Sequence, residues 1–329
     1  MGIVMKFLVI GLGSMGKRRV RCLQALGQRD IIGCDVKTER RDEAERLYGI
    51  PTRENLERLD LSTVDAFIIS VPPDRHLDFM KTAVKHTIPA FVEASVVIDG
   101  LEEINRDALG KNVLIAPSCT LRFHPAIMDI KRIVQGSKYG KFTNFSYHSG
   151  QYLPDWHPWE KVADYYVSQK DTGGGREIVP FELTWLIDVL GYPEKVSGFY
   201  GRTMDVGAEI DDTYALSLKF KQGFGTLLVD VASRFAVRSF VLNMERAQIV
   251  WRWDEATVHV YEADNQRWIE YKQKEASAHA GYNKNIIEDM YIEEMSAFIT
   301  AVQGKEKFPS TLADDIEVLK LLYRAENRA

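Results

Sequence analysis

Apolar and polar residues alternate in two rhythms along the first third of the chain. Residues 6–10 form a short continuous apolar run, and Gly11-Leu12-Gly13-Ser14-Met15-Gly16 follows at once. Val20, Leu23 and Leu26 then recur at helical spacing, which predicts a helix over 15–26. A second strand is expected over 31–34, ending at Asp35, and a helix over 39–48. Residues 64–70 are β-rich and apolar without alternation, the pattern of a parallel strand covered on both faces. Pro72-Pro73 stops this strand, and Asp74 is placed to cap a helix running to His86. A strand over 90–93, a helix near Leu101 and a strand over 113–116 continue the series. Repeated strand–helix units of this kind predict a parallel sheet with helices on both faces.

From about residue 139 the period changes to two. Segments 141–151, 195–200, 213–220, 224–233, 239–244, 248–253, 257–261 and 267–272 alternate, with short Gly, Asp or Asn turns between them. They predict one large, open, mainly antiparallel sheet. Helices are expected over 178–190, 290–303 and 311–326. The fold class is therefore α/β: an N-terminal Rossmann-like parallel sheet, then an α/β domain built on the open sheet. The expected division is a dinucleotide-binding domain over 1–121 and a substrate-binding and oligomerisation domain over 122–329. Such a sheet uses one face for its own helices, and a second subunit is the simple cover for the other, so a homodimer or homotetramer is expected.

Composition agrees with this picture. A chain of 329 residues exceeds one ordinary core and suits two domains. Apolar residues make up 45% and charged residues 27%, the balance of a soluble globular protein. A net charge of −5 argues against a nucleic-acid partner. No apolar run approaches the ~20 residues of a membrane span, and no signal-peptide anatomy follows Met1, so a cytoplasmic protein without a membrane partner is expected. Cys22, Cys34 and Cys119 are odd in number and widely spaced, which fits reduced thiols and gives no metal site.

The glycine run is the strongest chemical signal. Gly11 permits the tight turn, Gly13 lets backbone approach a pyrophosphate, and Gly16 lets helix and strand pack closely. Ser14, Met15 and Gly16 open a helix whose free N–H groups face the anion. Asp35, closing the second strand, can accept hydrogen bonds from an adenosine ribose and repels a 2′-phosphate, so NAD is favoured. Lys37, Arg40 and Arg41 lie just beyond and leave NADP open. Glu93 ends a strand on the side where open α/β sheets bind ligands. Tyr152, Asp155, Trp156, His157 and Trp159 crowd one loop. Their rings and polar groups suit a sugar, and His157 is a possible base. Arg122 is a plausible ligand for an anion or hydroxyl.

Taken in order, these pieces resemble the Gfo/Idh/MocA oxidoreductase family over nearly the whole chain. The carriers are Val9-Ile10-Gly11-Leu12-Gly13-Ser14-Met15-Gly16, Ser70-Val71-Pro72-Pro73 with His76, Phe91-Val92-Glu93, Arg122-Phe123-His124-Pro125, Gly173-Gly174-Gly175, and Tyr291, Glu294, Phe298 and Gly304. Residues 149–156 are also similar to a subgroup associated with bacterial surface-sugar biosynthesis. The resemblance implies NAD(H) or NADP(H), bordered by Ser70, Pro72 and His76, and hydride transfer at a carbinol carbon of a sugar, a sugar derivative or a nucleotide sugar.

The family's Glu-Lys-Pro reads Glu93-Ala94-Ser95 here, so its lysine is missing. Aligned on the glycines, Glu182 falls near the usual histidine and Trp185 near the usual aspartate, which makes Trp185 a candidate substrate contact. Hydride transfer from an alcohol needs a proton acceptor. Glu182 is the leading candidate, with Glu93 and His157 beside it. Glu182 lies among apolar and aromatic residues, so it is either functional or paired with an arginine such as Arg122 or Arg176. Three functions remain open: a dehydrogenase with an atypical active site, an NAD-dependent non-redox sugar enzyme of glycosidase type, and a sugar- and NAD-binding protein that has lost its chemistry.

Overall fold

The computed structural model describes residues 5–158, 160–273 and 288–328. Two compact units emerge. One comprises Met1–Cys119 with Tyr291–Glu317, the other Thr120–Met290 with Val318–Ala329. The first break between the units follows Cys119. Tyr291–Glu317 groups with the first unit, and Val318–Ala329 returns to the second. The packing explains this: Phe91 meets the rings of Phe298 at 5.7 Å and Phe308 at 6.3 Å.

In the first unit the strands β1 (Lys6–Ile10), β2 (Asp30–Cys34), β3 (Thr52–Arg53), β4 (Ala66–Ile69), β5 (Ala90–Val92) and β6 (Ile115–Pro117) form one sheet. Its order is β3-β2-β1-β4-β5-β6, and every pairing is parallel. The order reverses beside β1, and a ligand crevice forms at the carboxyl ends of the strands at such a point. The helices α1 (Ser14–Ala25), α2 (Thr38–Tyr48), α3 (His76–His86) and α4 (Leu101–Gly110) connect the strands. The unbroken apolar character of β1 and β4 follows from burial on both faces: Phe7, Val9, Phe67 and Ile69 are fully enclosed.

The second unit opens with α5 (Pro125–Gln135), followed by the long strand β7 (Phe142–Tyr152) and the helix α6 (Gly175–Leu190). The strands β8 (Lys195–Gly201), β9 (Thr213–Lys219), β10 (Phe224–Asp230), β11 (Ala232–Met244), β12 (Ala247–Arg252), β13 (Thr257–Glu262) and β14 (Arg267–Lys272) complete one sheet. Its order is β14-β13-β12-β11-β7-β10-β9-β8, antiparallel except where β10 runs parallel to β7. The alternation seen in the sequence is the alternation of its two faces. Phe145, Tyr147, Leu227 and Phe240 are buried on one face, whereas Phe199 and Phe224 stand exposed on the other. Two helices remain, α7 (Glu288–Val302) and α8 (Leu312–Ala325). No helix among the described residues is long and apolar enough to cross a membrane.

Candidate cofactor site and ligand-binding cluster

In the first unit the glycine turn is stereochemically forced at two of its three positions. Gly11 has φ +89°, and a Cβ there would lie 2.5 Å from the Ser70 carbonyl oxygen. A Cβ on Gly16 would fall 1.8 Å from the Gly11 carbonyl oxygen. Gly13 differs: a Cβ there would meet only the Arg40 guanidinium, at 3.6 Å. Space is therefore left open in front of Gly13. It caps α1 without any side-chain hydrogen bond, which leaves the helix N-terminus to an anion.

Asp35 follows β2 and is buried against this turn. Its Oδ2 accepts the Leu12 N–H at 2.8 Å, and its Oδ1 accepts the Lys37 N–H at 2.8 Å. Of the cations beyond it, Arg41 donates to the carbonyl oxygens of Asp35 and Val36 and to the Thr38 hydroxyl. Arg40 stands 3.5 Å from Asp35 Oδ2. These features fit a dinucleotide. Gly13 and the start of α1, with Ser14, Met15 and Gly16, would hold the pyrophosphate, and Asp35 would hold the adenosine ribose.

The other first-unit candidates follow β4 and β5. Ser70 reaches Glu93 at 3.3 Å. Glu93 is gripped by Arg19 through two parallel bonds, Nε to Oε1 at 2.6 Å and Nη2 to Oε2 at 2.9 Å. Arg19 is fully buried and also pairs with Glu294 at 2.8 Å. Glu294 in turn accepts the Cys119 N–H at 2.6 Å. The Glu93 carboxylate therefore serves as the counter-ion of a buried guanidinium. His76 Nε2 lies 2.9 Å from the Val71 carbonyl and Nδ1 lies 3.4 Å from Ser95 Oγ. Burial holds its pKa down to about 4, so it is a neutral strut between the turn at Pro72 and the segment containing Ala94.

In the second unit Glu182 is wholly enclosed and accepts five donors. Tyr147 Oη and Trp185 Nε1 reach Oε2 at 2.7 and 3.0 Å. Ser149 Oγ and the Nε and Nη2 of Arg238 reach Oε1 at 2.8, 3.0 and 2.9 Å. The paired arginine is thus Arg238 from β11, neither Arg122 nor Arg176. A carboxylate with both oxygens so engaged has little capacity left to take a substrate proton. Trp185 is likewise fully buried, between the rings of Tyr147, Phe240 and Trp251. It is a core residue rather than a ligand contact. Arg122 donates to the Thr184 carbonyl at 3.3 Å and lies 3.8 Å from Asp188, tying its turn to α6. His124 caps α5 through Nδ1, and burial holds its pKa down to about 3.

The loop after β7 does gather polar and aromatic groups. Tyr152 lies under the Arg234 guanidinium at 4.0 Å. Asp155 is exposed. His157 pairs with Glu160 at 2.7 Å, and its ring lies 4.7 Å from that of Tyr165, tilted by 30°. Trp156, Tyr165 and Tyr166 pack against one apolar cluster, which includes Leu153, Val167 and Ile210. Trp159 lies outside the described residues. Tyr166 and Glu177, joined at 2.7 Å, were missed at the sequence level. The signal was available, since Glu177 is also an acidic residue at the start of an apolar helix, just behind three glycines.

The model of the Gfo/Idh/MocA oxidoreductase family, NAD-binding Rossmann fold, matches residues 5–106. Residues 5–106 are similar to that family. No curated protein sequence matches the chain. Among solved structures it is similar to an oxidoreductase from Agrobacterium radiobacter in complex with NAD+, L-tartaric acid and magnesium, at 13% identity and TM-score 0.85, covering 99% of this chain and 96% of that one. It is similar to levoglucosan dehydrogenase in complex with NADH and levoglucosan, at 15% identity and TM-score 0.83, covering 99% and 97%. It is also similar to the WlbA dehydrogenase of Bordetella pertussis in complex with NADH and UDP-GlcNAcA, at 15% identity and TM-score 0.78, covering 99% and 96%. The likeness in fold to these structures therefore covers the open sheet as well as the Rossmann unit.

Proposed function

We propose that the protein is an NAD-dependent oxidoreductase that moves a hydride to or from a carbinol carbon of a sugar, a sugar derivative or a nucleotide sugar. The observation that carries this reading is the Asp35 carboxylate, fixed by the Leu12 amide beside a glycine turn with room at Gly13, in a unit similar to this family. The nicotinamide, when bound, supplies the hydride acceptor or donor. The substrate class is supported by the similar dehydrogenases, which hold levoglucosan and UDP-GlcNAcA, and by the rings of Tyr152 and Trp156 in the loop after β7. Glu93 and Glu182 act as fixed anions in this scheme, and His157, oriented by Glu160, is the sequence candidate kept for proton exchange. Reduction of NAD+ across a panel of polyols and nucleotide sugars tests the reading, and no turnover with any of them would overturn it.

Two expectations concern the cofactor. Asp35 repels a 2′-phosphate, so NADH should bind at least about tenfold tighter than NADPH in a fluorescence titration. Equal or tighter binding of NADPH would mean that Arg40 outweighs Asp35. The space at Gly13 makes Gly13→Ala a clean test: it should fold with wild-type thermal stability and lose most of its NADH affinity. Retained affinity would remove the pyrophosphate from this turn.

The open face of the large sheet supports a homodimer or homotetramer. Phe199 is 87% exposed there and Phe224 63%. Light scattering at micromolar concentration should give at least twice the monomer mass, and a monomer would rule out this assembly. The three cysteines are buried and form no disulfide, which suits the reducing cytoplasm.

A further inference from the structure

The second unit contains polar atoms that its own fold leaves unsatisfied. Glu177 stands in the first turn of α6, where Oε1 accepts the Tyr166 hydroxyl at 2.7 Å. Its Oε2 is shut off from solvent and has no hydrogen-bond partner among the described residues. The Tyr165 hydroxyl and the Trp156 Nε1 are in the same condition. A buried donor or acceptor left unmade is costly, and folded proteins contain few of them.

These atoms belong to one locality. Trp156, Tyr165 and Tyr166 pack against the same apolar cluster, and the Tyr165 and Tyr166 rings are 6.1 Å apart. Burial first, and then the charges of Glu160 and Glu177, hold the Tyr165 phenol above its ordinary pKa, so the Glu177 carboxyl acts on that hydroxyl. The ionisable groups shown to interact with Glu177 are Tyr166 and Tyr165; Glu160 acts on Tyr165 in turn and pairs with His157.

We infer that Glu177 Oε2, Tyr165 Oη and Trp156 Nε1 form a subsite for the hydroxyl groups of a polyol. Two donors and one acceptor, framed by indole, phenol and imidazole rings, match adjacent hydroxyls on a sugar: one hydroxyl donates to Oε2, and oxygens of that hydroxyl or its neighbours accept from the phenol and the indole. The inference rests on the sugar reading above and deepens it, because it assigns a ligand acceptor to a residue outside the candidates read from the sequence. Burial raises Glu177 to about 7, partly countered by the Tyr166 hydrogen bond. The group therefore changes from acceptor to donor near neutral pH, and polyol affinity should carry a step there.

Crystals of the whole protein soaked separately with glycerol, glucose and myo-inositol give the direct test. The expected result, with at least one of the two sugars, is a hydroxyl oxygen within roughly 2.6–3.2 Å of Glu177 Oε2 and of one of the other two atoms. Water alone at the three atoms in every soak overturns the inference, and so does glycerol alone with neither sugar, as an adventitious additive only. Calorimetry with the sugar that binds provides the second arm. Glu177→Gln and Tyr165→Phe should each weaken binding by about tenfold, Glu177→Gln should remove the pH step, and NADH affinity should not change. Unchanged sugar affinity in both variants overturns the inference even if the wild type turns sugars over, which leaves the oxidoreductase reading standing. A bound sugar without NAD-linked turnover has the opposite meaning.

Discussion

Glu182→Gln should lower the stability of the protein by about 3–5 kcal/mol in urea unfolding, the usual cost of removing one partner of a buried ion pair. The substitution takes away the anion facing Arg238, whose guanidinium is almost completely buried. It also puts an amide where the Tyr147, Ser149 and Trp185 donors converge. The companion measurement is Glu182→Gln combined with Arg238→Met, which removes both charges and should recover much of the loss. Wild-type stability in Glu182→Gln, together with turnover lowered by orders of magnitude, would return Glu182 to the role of base.

Glu177→Gln should behave in the opposite way, and in a manner that depends on pH. The ordinary glutamate pKa of 4.5 is raised to about 7 in the folded protein. The folded state therefore holds this proton more tightly than the unfolded state. The stabilisation is complete below about pH 4.5 and is lost as pH rises through about 7. The shift corresponds to about 3 kcal/mol at roughly 1.4 kcal/mol per pKa unit. Glutamine cannot titrate, so the variant should gain about that much on the wild type between pH 4.5 and pH 8, whatever constant offset the amide adds. Stability curves of the two proteins that stay parallel across this range would mean that the carboxyl titrates normally.

The two glutamates explain what the sequence could and could not disclose. Strands and helices were legible because their burial is periodic: the helix expected over 39–48 is α2, Thr38–Tyr48, and the strand expected over 267–272 is β14, Arg267–Lys272. The glycine turn was legible because its three constraints are local. An acidic residue in an apolar helix was also visible as an anomaly at Glu182. What resolves the anomaly is Arg238, 56 residues away, delivered by the pairing of β11 with β7, where Arg238 stands opposite Ser149. No local pattern carries that register. Glu93 was obscured in the same way, since its partner Arg19 lies 74 residues earlier on α1. Glu177 was missed for a different reason. Its neighbours Tyr165 and Tyr166 come from an irregular loop, and periodicity says nothing about where such a loop packs.

The return of Tyr291–Glu317 to the first unit has a consequence for the order in which the chain can fold during synthesis. Glu294 accepts from Arg19 and from the Cys119 amide, and Phe298 and Phe308 cover Phe91. Glu294, Phe298 and Phe308 do not exist while the first 119 residues leave the ribosome. The nascent Rossmann sheet must wait with an apolar surface uncovered and one anion of its buried arginine still missing, while the whole of the second sheet is translated. The part of the protein made first is completed among the last, and a truncation after residue 119 would keep every strand of the nucleotide-binding sheet and still lack the segment that closes it.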